Sequence, residues 1–302
     1  MRPPSEVSGF IPTLACQKDS EPPKPGQTEI VELRADLVTI TVTVASPGGK
    51  LITDLEAQDF EILEDGVLQL ITTFSSHSEM PLSLVLIFDG SLSIKSRLTF
   101  EKDTVSRFLR AIVRSQDKVA LLSVSTDVVW QQPFTANLSQ LLSAIDRLNA
   151  EGATALYDAI ETAALALNNR MGRRVMVILS DGRDTISRAS LSVALKQAQE
   201  ADAVVYAINT SGRPASANVR DLAGERALER LCNQTGGEVF FPDKIEELDP
   251  VFARLADQLR TQYVLGFTSS NEARDGSYRH LTVRIKRPDM FARAREGYYA
   301  LK

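Results

Sequence analysis

From residue 36 onward the spacing of apolar residues changes period several times, and each change predicts a different element. Val38, Ile40, Val42 and Val44 alternate with Thr39, Thr41 and Thr43, the pattern of a half-buried antiparallel strand rich in β-branched residues. Residues 60–64 and 67–71 flank Asp65-Gly66, a strong hairpin signal. The pattern then loses its polar half. Stretches 84–88, 119–122 and 175–179 are unbroken apolar runs, as expected of strands covered on both faces in a parallel sheet. Between them Val105, Phe108, Leu109, Ile112 and Val113 recur at helical spacing, as do Leu138, Leu141, Leu142, Ile145 and Leu148, and then Leu156, Ile160, Ala163, Ala164 and Leu167. Further helices are predicted at 188–200, 222–234 and 248–261, with strands at 203–209 and 238–241.

Strand–helix alternation across 79–262 predicts an α/β fold, a doubly wound and mainly parallel sheet with helices on both faces. After residue 262 the period returns to two, in 263–267, 281–285 and Tyr298-Tyr299. Such strands do not readily extend a parallel sheet directly after a helix. They are predicted to return and complete a small antiparallel β-sandwich begun by the N-terminal strands. The expected organisation is a leader over 1–29, a discontinuous sandwich of 30–78 plus 263–302, and the α/β domain at 79–262.

Composition leaves this picture intact: 43% hydrophobic and 24% charged residues suit a globular chain with a sizeable core. A net charge of −5 argues against a nucleic-acid partner. No apolar run approaches the ~18 residues of a membrane-spanning helix. Residues 1–29 are rich in Pro, Ser, Glu and Lys and lack the apolar core of a signal peptide; they read as a flexible, extended leader. Two cysteines, Cys16 and Cys232, define no disulfide framework, and Cys232 reads as a small buried hydrophobe.

Candidate chemistry begins where the 84–88 run ends, at Asp89-Gly90-Ser91-Leu92-Ser93. In open α/β sheets, ligands sit beyond the carboxyl ends of the strands. A carboxylate and two alternate hydroxyls form an oxygen-only set, suited to a hard cation such as Mg²⁺ or Mn²⁺. Asp and Ser are also ordinary turn and cap formers, so these five residues alone leave both readings open. Thr154, at the mouth of a helix, and Asp181, at the end of the 175–179 run, add two more oxygen donors at neighbouring positions.

The set Asp89, Ser91, Ser93, Thr154 and Asp181 resembles the metal-ion-dependent adhesion site of the von Willebrand factor type A domain family, across roughly residues 82–262. The resemblance implies Ser91, Ser93 and Thr154 as hydroxyl ligands, with Asp89 and Asp181 bound directly or through water. Leu92 and Ala153 stand where close relatives often carry glycine, and neither change removes an oxygen ligand. The run Leu55 to Phe74, with Asp59-Phe60 and Glu64-Asp65-Gly66, and the run Arg293 to Tyr299 also resemble the VWFA-related acidobacterial family. The resemblance further implies a binding module with Mg²⁺ (or Mn²⁺) as cofactor, whose coordination is completed by Asp or Glu from an unidentified protein partner. Relatives of this type are often exported. A metal-assisted hydrolase is the rival, with Asp158 or Asp184 as its base, and a purely structural ion is the third reading. His77 and His280 have no place near Ser91 in this topology, so no Ser–His–acid triad is expected.

Overall fold

The computed structural model describes residues 37–76, 80–210 and 222–302, apart from the side chains of Ser93 and Ile245. The expected leader, His77 and the expected loop at 211–219 lie outside the described residues. Those described fall in one compact unit, Asp36–Lys302. In chain order its elements are β1 (Leu37–Ala45), β2 (Phe60–Glu64), β3 (Val67–Gln69), β4 (Ile71–Ser75), β5 (Leu82–Asp89), α1 (Leu98–Ile112), β6 (Lys118–Val124), β7 (Val128–Thr135), α2 (Leu138–Asp146), α3 (Leu156–Asn168), β8 (Arg173–Leu179), α4 (Leu191–Glu200), β9 (Ala203–Ile208), α5 (Leu222–Thr235), β10 (Val239–Phe240), α6 (Leu248–Thr261), β11 (Tyr263–Thr268), β12 (Tyr278–Ile285), β13 (Phe291–Arg293) and β14 (Gly297–Tyr299).

Six strands form the central sheet in the order β10-β9-β8-β5-β6-β7, parallel except for the antiparallel edge strand β7. Every residue of β5 is buried. Its alternation explains why the run has no polar break: Leu82, Leu84, Leu86 and Phe88 enter one core with α1, α2 and α6. Val85 and Ile87 enter the other, with α3, α4 and α5. A strand with helices on both faces has no solvent side, so a polar side chain in it must find a buried partner, as Ser83 does at the strand's start by donating to the Met171 carbonyl at 3.2 Å. Cys232 lies fully buried in the second core, and burial pushes its thiol up.

The N- and C-terminal strands interleave in two four-stranded sheets, β13-β1-β11-β4 and β14-β12-β2-β3. Ile40, Val42, Phe60, Ile62, Leu265 and Phe267 fill the space between them, with the Phe60 and Tyr263 rings 5.2 Å apart. Two details differ from the sequence expectation. The second hairpin arm stops at Gln69, and the chain crosses at Leu70 into the other sheet, so residues 67–71 serve two sheets. The threonine side of β1 is only partly a solvent face: Thr39 is exposed and Thr41 half-buried, but Thr43 is 2% exposed and lies against Tyr206 of β9. C-terminal arginines are paired with carboxylates. Arg287 bridges Asp54 and Asp59, Arg293 pairs with Glu238, and Arg295 pairs with Asp202.

Candidate metal centre

Asp89 is the last residue of β5, and Asp181 stands two residues past the end of β8, its neighbour in the sheet. Both therefore arrive at the carboxyl edge. Asp89 is 1% exposed. One of its oxygens accepts the Ser91 backbone N–H at 2.9 Å, and the other accepts the Ser180 hydroxyl at 2.6 Å. Burial raises its carboxyl above the usual range; the hydrogen bonds from Ser180 and Ser91 oppose that rise, and the negative charge of Asp181 adds to it. Asp181 is half-buried and accepts the Arg183 N–H at 3.0 Å.

Hydrogen bonds tie four loops together at this edge. Leu92 N–H reaches the Gly152 carbonyl at 3.4 Å. The Ala153 N–H reaches the Thr126 hydroxyl at 3.2 Å. Thr154 donates its N–H to the Thr185 hydroxyl at 3.0 Å and accepts the Thr185 N–H at 2.9 Å. Ser91 and Thr154 are each 5% exposed. Asp89, Ser91, Thr154 and Asp181 thus share one edge on loops bonded to one another. Ser93 lies in the 3₁₀ turn Leu92–Ile94 of the first loop, and its side chain is outside the described atoms.

Two supporting residues escaped sequence reasoning. Ser180 was visible only as a hydroxyl closing a buried strand, yet it orients Asp89 and also accepts the Gly182 N–H at 3.1 Å. Gly224 left no signal at all. It lies in α5, where an added Cβ would stand 2.7 Å from the Asp181 carbonyl oxygen, and one added to Gly182 would stand 2.3 Å from the Gly224 carbonyl oxygen. The loop carrying Asp181 therefore rests backbone to backbone on α5. Gly182 also has φ +81°, which side-chain-bearing residues rarely adopt. Gly182→Ala is expected to cost about 2 kcal/mol or more, from the left-handed backbone and the collision together. Urea unfolding would read it, and an unchanged midpoint would contradict the close packing.

Residues 84–183 match the family model described as the von Willebrand factor type A domain. This stretch is a von Willebrand factor type A domain. Its β5 and β8 deliver the two acids, and the solved structures it resembles share its fold. One is the vWF domain of the type V pili tip protein Mfa5 from Porphyromonas gingivalis, at TM-score 0.50 and 12% identity, covering 60% of this chain and 95% of that one. Another is the pilus adhesin SpaC from Lactobacillus rhamnosus GG, in an open conformation, at TM-score 0.50 and 11% identity. That match covers 80% of this chain, which spans 47% of SpaC. BatB from Bacteroides thetaiotaomicron matches at TM-score 0.47 and 16% identity, over 60% of this chain and 100% of its own. No curated protein sequence matches the chain.

Among the described residues of the A domain, no three His, Cys, Asp or Glu side chains converge as a metal-holding group. A cation here would rely on two carboxylates and hydroxyls. That donor set fits a hard ion: Asp89 and Asp181 repel one another, and Asp89 is held in a place that disfavours its charge. Asp158 is otherwise employed, its carboxylate accepting the Arg188 and Ala189 N–H groups at 3.1 and 2.8 Å. One Asp184 oxygen accepts the Ser187 N–H at 3.1 Å, and the other is buried with no hydrogen-bond partner among the described residues.

Proposed function

We propose that the A domain is an adhesion-type protein-binding module that holds Mg²⁺ or Mn²⁺ at the carboxyl edge of its sheet and binds a partner's Asp or Glu carboxylate there. The observation carrying this reading is the buried Asp89 carboxylate, fixed by Ser180 and Ser91 and set against the like charge of Asp181. Asp89 and Asp181 would hold the ion with the hydroxyls of Ser91, Ser93 and Thr154. Bound there, it would supply a positive centre that neutral hydroxyls leave under-compensated, so an incoming carboxylate gains strongly. The protein's own part is orientation: Ser180 fixes Asp89, Arg183 N–H fixes Asp181, and Thr185 fixes the backbone of Thr154. The descriptions of Mfa5 as a pilus tip protein and SpaC as a pilus adhesin agree with adhesion.

Calorimetric titration of Mg²⁺ and Mn²⁺ into the full chain and into Asp181→Ala tests the reading, with circular dichroism on both. The wild type should bind, and Asp181→Ala should lose more than about a hundredfold in affinity while staying folded, since even outer-sphere partners are worth about 10- to 100-fold. No binding to a folded wild type, or equal binding by the variant, would overturn it. Unfolding on chelation would favour an ion that merely staples the loops.

A further inference from the structure

Two carboxylate oxygens among the described residues are buried without a hydrogen bond, Glu101 Oε1 and Asp184 Oδ2. Glu101 is answered by the Arg97 guanidinium, 3.5 Å away. Asp184 has, among the described residues, only the Ser187 N–H, which its other oxygen accepts at 3.1 Å. Its Oδ2 is an orphan acceptor.

The place of that orphan is specific. Asp184 lies three residues past Asp181, on the loop between β8 and α4. The next residue, Thr185, docks this loop on Thr154 through two backbone-directed bonds, its N–H to the Thr154 carbonyl at 2.9 Å and its hydroxyl from the Thr154 N–H at 3.0 Å. Asp184 is thus joined to Asp181 by a short stretch of chain and to Thr154 by a pair of hydrogen bonds. The neighbouring backbone donors are committed elsewhere. Arg183 N–H goes to Asp181, Ile186 N–H to the Thr154 carbonyl, and the Arg188 and Ala189 N–H groups to Asp158. Asp158, the other acid of this region, has both oxygens occupied by those two donors. A shielded carboxylate oxygen without a donor is costly, and the folded chain retains that cost at the edge where two other acids end their strands.

We propose that Asp184 is an outer ligand of the cation at this edge, its Oδ2 accepting a hydrogen bond from a water bound to the ion. The inference rests on the metal centre proposed above and adds to it a residue outside the five oxygen donors. Mg²⁺ keeps several of its waters, and outer partners orient them. Asp184 supplies the acceptor for one such water and a third negative charge near the ion. Without the ion the same carboxylate is a liability, so its removal acts on stability and on affinity with opposite signs.

Mg²⁺ calorimetry, together with urea unfolding in chelator, on the full chain as wild type and Asp184→Asn tests this. Asparagine keeps an acceptor for the Ser187 N–H and removes the charge. The variant should bind Mg²⁺ about 10- to 100-fold more weakly, the usual weight of an outer partner. Its urea midpoint in chelator should be higher than that of the wild type, whereas an acid that only caps the loop would leave affinity unchanged and lower the midpoint. Asp184→Ser, which places a hydroxyl where the capping oxygen stands, should lose the same affinity and decides the matter if Asp184→Asn fails to fold. Equal Mg²⁺ binding by folded wild type and variant, or a lower midpoint for Asp184→Asn in chelator, would overturn this inference and leave the metal centre standing. A folded wild type that binds no Mg²⁺ would overturn both.

Discussion

Glu101→Gln is expected to stabilise the protein by roughly 3–5 kcal/mol at pH 8 and to change little at pH 4. Glu101 sits in the first turn of α1 with its side chain 1% exposed, and Arg97 Nε, 3.5 Å away, is its paired cation. One carboxylate oxygen has no hydrogen bond. Burial pushes its carboxyl up to about 8; the Arg97 charge lowers it in part, and the Asp89 charge raises it further. The folded-state value is thus raised above the unfolded one near 4.5. Between pH 4.5 and 8 the folded protein keeps a proton that the unfolded chain has released. Stability therefore falls as pH rises through that window, by up to about 1.4 kcal/mol per pH unit, and levels off outside it. Glutamine keeps the shape and removes the titration. Urea unfolding of both proteins from about pH 4 to 8.5, in chelator, should give a sloping wild type and a flatter variant. Parallel slopes would show that Glu101 is not the group responsible.

Arg279→Ala should act in the opposite direction, costing about 3–5 kcal/mol at neutral pH because it strands a buried charge. Arg279 and Glu64 are 4% and 2% exposed and 3.1 Å apart, between β12 and β2 in the second sheet of the sandwich. Glu64 also accepts the hydroxyls of Ser269 at 2.7 Å and Tyr298 at 3.1 Å. The same guanidinium holds the loop between β11 and β12 through Ser269 Oγ and the Asn271 carbonyl, both at 2.8 Å. Removing it leaves Glu64 with neutral donors alone. A loss of that size is a large part of the roughly 5–15 kcal/mol that stabilises a typical domain. The double variant Glu64→Gln/Arg279→Met removes both charges and should recover most of the loss, since a neutral pair of similar volume leaves no uncompensated ion. A single-variant loss below about 1 kcal/mol, the range of exposed pairs, would mean water reaches Glu64.

Much of this molecule is legible along the chain. The unbroken run at 84–88 announced a strand covered on both sides, and β5 lies at the centre of the sheet with all eight residues buried. The return to period two after residue 262 announced strands unlike those before it, and β11 and β12 pair with β1 and β2. Asp89 and Asp181 were legible because each ends such a run, and the carboxyl ends of neighbouring parallel strands meet at one edge.

The features that the chain alone withheld have a common physical character. Glu101 reads as an ordinary acid in a helix's first turn, where the macrodipole welcomes it; only the covering of α1 makes its charge costly. Arg295 and Asp202 are 93 residues apart, and their pairing depends on the sandwich lying against the amino end of β9. The chain's crossing at Leu70 depends on which sheet has an edge to offer, and Gly224 matters only because the Asp181 loop touches it. Periodicity is set locally, by which face of an element leaves water, so sequence determined the strands, the helices and the acids that end them. Desolvation and pairing are set by remote neighbours. The tertiary structure therefore decided which charges are buried, what answers them, and which backbone lies too close for a side chain.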